Sequence, residues 1–169
     1  MKLTVPILLL LTGSAAAEKV TLQAVPASNE PKVVGSQAVC KSDNDFLRIA
    51  RTKLDGHEVL LLSDCARAHS QLAFETKSGW HLFASDPYGG TTSIVKVRKR
   101  NVLLHRADTY GDRDTSMTRV DLCAYDKEGA PACGSAEVQC PETGCRDPEI
   151  IKGALWLHAK GGRKRFPIE

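Results

Sequence analysis

The residue types that could do chemistry gather most closely around His105. Asp108, Asp112 and Asp114 follow it, at the end of an apolar run and in the polar loop 110–114. An imidazole beside carboxylates can serve as a general base, and sites often lie at strand ends and in loops. The spacing is not that of a calcium loop, which wants oxygen ligands at positions 1, 3 and 5 and a glycine at 6. Here Gly111 precedes the second aspartate and Arg113 separates the last two. Aspartate is also a routine turn residue. His105, Asp108, Asp112 and Asp114 are the only residues that a hydrolytic reading can name.

No other catalytic pattern stands out. His57, His69, His81 and His158 are scattered without ligand spacing, and His57-Glu58 would point to opposite faces of a strand. There is no G-x-S-x-G elbow and no S-x-x-K motif. Gly89-Gly90 and Gly161-Gly162 lack the strand–loop–helix context of a phosphate cradle. No metal or cofactor is implied.

The cations are more suggestive. Lys96, Arg98, Lys99 and Arg100 fall within five residues, and Arg163, Lys164 and Arg165 follow Lys160. On neighbouring strands the two groups would form one patch suited to an anionic polymer. The same residues on an edge strand would instead block edge-to-edge aggregation. Trp80, Phe83 and Tyr88 gather aromatics just before a Pro/Gly loop. They read either as anchors of an interaction surface or as packed strand residues. Aromatics make up only 5% of the chain and do not interleave with the cations, which disfavours nucleic acid.

Six cysteines (Cys40, Cys65, Cys123, Cys133, Cys140 and Cys145) suit an oxidising compartment. Six allow about 15 pairings, and sequence does not choose among them. Nearest-neighbour pairing is preferred. Cys123 and Cys133 flank the turn 126–131, Cys140-Pro-Glu-Thr-Gly-Cys145 is a tight loop, and Cys40 is left for Cys65. A zinc ribbon needs two close knuckles, and 123–133 is too wide for one. No C-x-x-C redox motif occurs.

These residues lie behind an address. Lys2, the apolar run 5–11 and Ala15-Ala16-Ala17 match a secretory leader, with cleavage expected after Ala17. The run is too short to span a bilayer. Without Lys2 the chain has 22 basic and 20 acidic residues, so net charge says little about partners.

The elements that must position the candidates are strands. Residues 18–45 read as an irregular N-terminal segment, broken by Pro26, Pro31 and Gly35, and 46–169 as a single β domain. Asp55-Gly56 is a strong hairpin signal, and 58–63 is apolar enough for a strand buried on both faces. Arms at 71–76 and 80–84 flank a second turn. Residues 93–100, 102–106, 118–125, 135–139, 154–160 and 165–168 complete the set. Only 67–72 offers a single helical turn. Short strands with frequent turns predict an all-β chain, an antiparallel sandwich or barrel stabilised by disulfides. The functional expectation is a secreted or periplasmic protein that acts by binding an exported protein or an anionic envelope polymer. An exported hydrolase and a structural envelope component are the alternatives.

Overall fold

The computed structural model describes residues 18–42, 45–67, 69–85, 89–110 and 115–169. The expected leader, residues 1–17, and three candidate residues, Tyr88, Asp112 and Asp114, lie outside them. The chain begins with three short strands, β1 (Gln23–Ala24), β2 (Ala27–Ser28) and β3 (Lys32–Val34), and a 3-10 turn at Gln37–Val39. Longer strands follow: β4 (Asp45–Leu54), β5 (His57–Asp64), β6 (Ser70–Thr76), β7 (Gly79–Ser85), β8 (Thr91–Val97), β9 (Arg100–Tyr110), β10 (Ser116–Tyr125) and β11 (Pro131–Gln139). β12 (Glu149–Ile151), β13 (Ala154–Ala159) and β14 (Gly162–Pro167) close the chain. No helix among the described residues is long and apolar enough to cross a membrane.

These strands form three sheets: β1-β11-β10-β9-β8, β2-β7-β6-β5-β4-β3 and β12-β13-β14. All pairings are antiparallel except β3 with β4. The five-stranded sheet lies in the middle, because its alternating side chains enter two different cores. Val102, Leu104, Val120 and Leu122 pack with Leu155, Leu157 and Phe166 of the three-stranded sheet. Leu103, Cys123, Tyr125 and Cys133 pack with Leu54, Leu61, Leu72 and Phe74 of the six-stranded sheet. Each fully buried leucine contributes about 1.5–3 kcal/mol relative to exposure.

The six-stranded sheet is a half-barrel. Its edge strands, β2 and β3, are joined only by Asn29, Glu30 and Pro31. That link reaches at most about 14 Å. Six strands lying flat would separate the edges by about 24 Å. The sheet must therefore curl. Its convex face meets the middle sheet. Its concave face carries Leu60, Leu62 and Ala73, flanked by Phe46, Trp80 and Leu82.

The Asp55-Gly56 hairpin forms as expected, both residues having positive φ (50° and 86°). The three disulfides are Cys40–Cys65, Cys123–Cys133 and Cys140–Cys145, the nearest-neighbour set. Two local expectations are corrected. Residues 93–100 are not one strand: the chain reverses at Arg98-Lys99, with Arg98 at φ 58° and no glycine or asparagine to announce it. Nor do the described residues of the stretch 67–72, which are 67 and 69–72, hold a helical turn. Arg67 closes a turn on the Asp64 carbonyl, and β6 starts at Ser70 because burying Leu72 and Phe74 outweighs local propensity.

Candidate functional site

His105 sits on β9, opposite Asp121 of β10 and Thr92 of β8. It shares a sheet face with Leu103, so it points toward the half-barrel. It is fully buried, and neither ring nitrogen has a hydrogen-bond partner among the described residues. Gly90 covers it at φ +98°. A Cβ there would lie 2.7 Å from His105 Cε1 and 2.3 Å from the Arg106 carbonyl oxygen, so only glycine fits. Burial pushes the His105 pKa below its ordinary value. The charge of Asp121 and the Thr91 carbonyl, which falls short of hydrogen-bond geometry, pull weakly the other way, and Arg119 reinforces the lowering. The imidazole is held neutral.

Asp108 does not join it. Residues 105 and 108 fall on opposite faces of β9, and Asp108 accepts hydrogen bonds from Arg106 (2.7 Å) and Thr118 on the other side. The group that accompanies His105 is one the sequence reading missed, Asp121. It is fully buried and accepts from Arg119 Nε at 2.9 Å, from Ser135 Oγ at 2.6 Å and from Ser85 Oγ. Ser85 is on β7, so that last bond ties the half-barrel to the middle sheet. The available signal was a lone charge inside the apolar run 120–125. The contacts are not those of a hydrolytic triad, in which the imidazole lies between hydroxyl and carboxylate. Here Ser85 reaches the carboxylate directly.

The cations form a surface at the opposite extreme of exposure. Lys96, Arg98, Lys99 and Arg100 are all exposed. Arg100 donates to the Tyr125 carbonyl. Lys96, Arg98 and Lys99 make no ion pair among the described residues. The side chain of Arg98 leans across the turn between β12 and β13, its Nε 3.0 Å from where a Cβ on Gly153 would stand. That turn carries a further exposed cation, Lys152. Arg98 and Lys152 thus crown adjacent turns, and both have left-handed backbones, φ 58° and 49°. Glycine or asparagine would suit either position better, by about 1 kcal/mol or more.

The C-terminal cations are placed elsewhere. β14 is an edge of the three-stranded sheet and does not pair with β8. Arg163 is bound to Glu149 at 3.1 Å and lies over the Trp156 ring, 4.9 Å from its centroid. Lys164 faces Glu18 at 3.6 Å. The two basic groups therefore do not merge through strand pairing. Trp80 and Phe83 point to opposite faces of β7, Trp80 toward Leu60 and Leu62 and Phe83 toward the other core.

The fold and its surfaces define a three-layered, disulfide-braced β protein. No protein-family model, curated protein or solved structure significantly matches the chain.

Proposed function

We propose that this chain is an exported binding protein whose ligand is an anionic envelope polymer, held at the tip formed by Lys96, Arg98, Lys99 and Lys152. One observation carries the reading. Two neighbouring turns place a cation where the backbone favours glycine or asparagine, and neither cation is neutralised. Strained positions filled by the less suitable residue point to selection for the side chain. Lack of an ion pair alone does not set these cations apart, since Lys53, Lys77 and Lys127 also make none among the described residues, so the weight rests on the left-handed backbones. The two rigid turns would present their charges without ordering a loop on binding, which lowers the entropic cost.

The competing reading, an exported hydrolase using His105, has less support. A buried, neutral imidazole sealed under Gly90 offers no path for a substrate. An exported protein as partner is the other arm of the test.

The experiment compares the oxidised chain from Glu18 with a variant carrying Lys96→Ser, Arg98→Asn, Lys99→Ser and Lys152→Asn. Asparagine tolerates the left-handed region, so the variant should melt no lower than the parent. Heparin and polyphosphate serve as probes at low and moderate salt. Binding that weakens with salt and falls at least about tenfold in the variant supports the proposal. Equal retention of parent and variant, or capture of a protein by both alike, overturns it.

A further inference from the structure

We infer that the concave face of the half-barrel is a second binding site, for a short neutral saccharide, separate from the cationic tip. A cavity of about 720 Å³ opens there, lined by Ser28, Lys32, Asp45, Phe46, Gln71 and Leu82 and strapped by the link 29–31. That volume lies within the range of small-ligand sites. Directly opposed residues of adjacent strands share a face, which shows what stands behind it. Gln71 is opposite Leu62, Leu82 opposite Ala73, and Ser28 opposite Trp80. Phe46 and Leu82 supply the apolar lining, and the Trp80 indole belongs to the same apolar cluster, beside Ser28.

The polar groups around this lining decide the ligand class. Lys32 and Asp45 neutralise each other at 2.9 Å, and Asp45 also accepts from the Lys41 and Ser42 backbone N–H groups. Asp45 is buried and fully engaged, and it neutralises the Lys32 ammonium, which stays largely exposed. The Gln71 amide is half-buried and makes no hydrogen bond among the described residues. The Ser28 hydroxyl is buried with no partner. A buried polar atom left unmatched costs free energy, and a ligand hydroxyl or amide could recover it. Glu30 on the strap is the one lining charge left without an ion pair, which disfavours an anion.

An apolar lining bearing a phenyl ring, below unmatched amide and hydroxyl groups, complements a sugar ring with one apolar face and hydroxyls around its edge. An acyl chain would leave Gln71 and Ser28 unsatisfied. A peptide adding to the sheet would need a long free edge, and β2 and β3 have only two and three residues. The half-barrel is closed at its edges by the strap, so the cup is preformed.

The test is nitrogen-15 NMR on the oxidised chain from Glu18, titrated with cellobiose and with N,N′-diacetylchitobiose at millimolar concentration. A two-residue peptide, acetyl-Ala-Ala-amide, and octanoate are the comparison probes. Saturable shifts of the Gln71 side-chain amide and Trp80 indole, produced by a saccharide and weakened about tenfold by Gln71→Ala, are expected. Gln71→Ala removes a half-buried side chain without touching the core, and its unchanged melting temperature is the folding control. The tip variant should bind the saccharide as the parent does, so failure of one site is distinguishable from failure of the other. Absence of saturable shifts with both saccharides, shifts confined to other residues, or stronger binding of the peptide or octanoate overturns the inference.

Discussion

Replacing His105 with leucine should remove a pH dependence of stability that the buried imidazole imposes. In the unfolded chain His105 takes up a proton near its ordinary value of 6.5, whereas burial lowers the folded value. Between those two values the unfolded state binds more protons, so stability rises with pH. The contribution is fully present above about 6.5 and is lost as pH falls, at up to about 1.4 kcal/mol per pH unit. Two carboxyls with lowered values, Asp45 and Asp126, lie outside this window. Backbone N–H groups, chiefly that of Lys41 for Asp45 and that of Ala130 for Asp126, hold both carboxyls below their usual 3.8, so their stabilisation is lost only in stronger acid. The charged groups facing His105, Asp121 and Arg119, remain bonded to each other at 2.9 Å in the variant. Because neither ring nitrogen is hydrogen-bonded, leucine forfeits no bond and should match the parent at neutral pH. The assay is urea unfolding from pH 5 to pH 8 at constant ionic strength. An identical slope in His105→Leu would refute the reasoning. So would a loss of more than about 2 kcal/mol at neutral pH, the scale of a lost buried hydrogen bond.

Two further perturbations probe the same architecture. Gly90→Ala should destabilise by more than about 2 kcal/mol in thermal or urea unfolding, because it combines φ +98° with an approach of 2.3 Å to the Arg106 carbonyl. A variant unfolding like the parent would show that Gly90 does not seal the imidazole. Replacing Cys40 and Cys65 by alanine should cost about 3.5 kcal/mol against about 2 kcal/mol for Cys140 and Cys145, as the first bridge closes the longer loop of 25 residues rather than 5. Urea midpoints of the two double variants decide the order.

What was legible in the sequence was what local chemistry decides. Asp55-Gly56 fixed a hairpin because both residues tolerate positive φ. The run 58–63 announced a strand buried on both faces, and Val59 and Leu61 do enter a different core from Leu60 and Leu62. Turns between near cysteines favoured Cys123–Cys133 and Cys140–Cys145, and Cys40–Cys65 followed only as the remaining pair. The reversal at Arg98-Lys99 was hidden because its residues carry no turn preference. Asp108 looked like a companion of His105 until strand parity placed them on opposite faces. Lys152 was inconspicuous because its neighbour is a turn 54 residues away, Arg98. The cup could not be read at all, since curvature arises from how both edges of a six-stranded sheet meet a three-residue link.

The polar group buried between the sheets has a job that needs no ligand. Asp121 lies between Val120 and Leu122, both of which enter the core shared with the three-stranded sheet. A register slip of one residue would drive the carboxylate into that apolar layer and expose two aliphatic side chains to Ser85 and His105. The cost is several kcal/mol, because the carboxylate would lose the two hydroxyl donors on other strands, Ser85 and Ser135. Ser135 reaches it in only one pairing of β10 with β11, and Ser85 in only one docking of the half-barrel, while Arg119 on β10 itself accompanies it. The interior charge therefore selects a single arrangement of the middle sheet and the half-barrel, which aliphatic packing alone would specify less sharply.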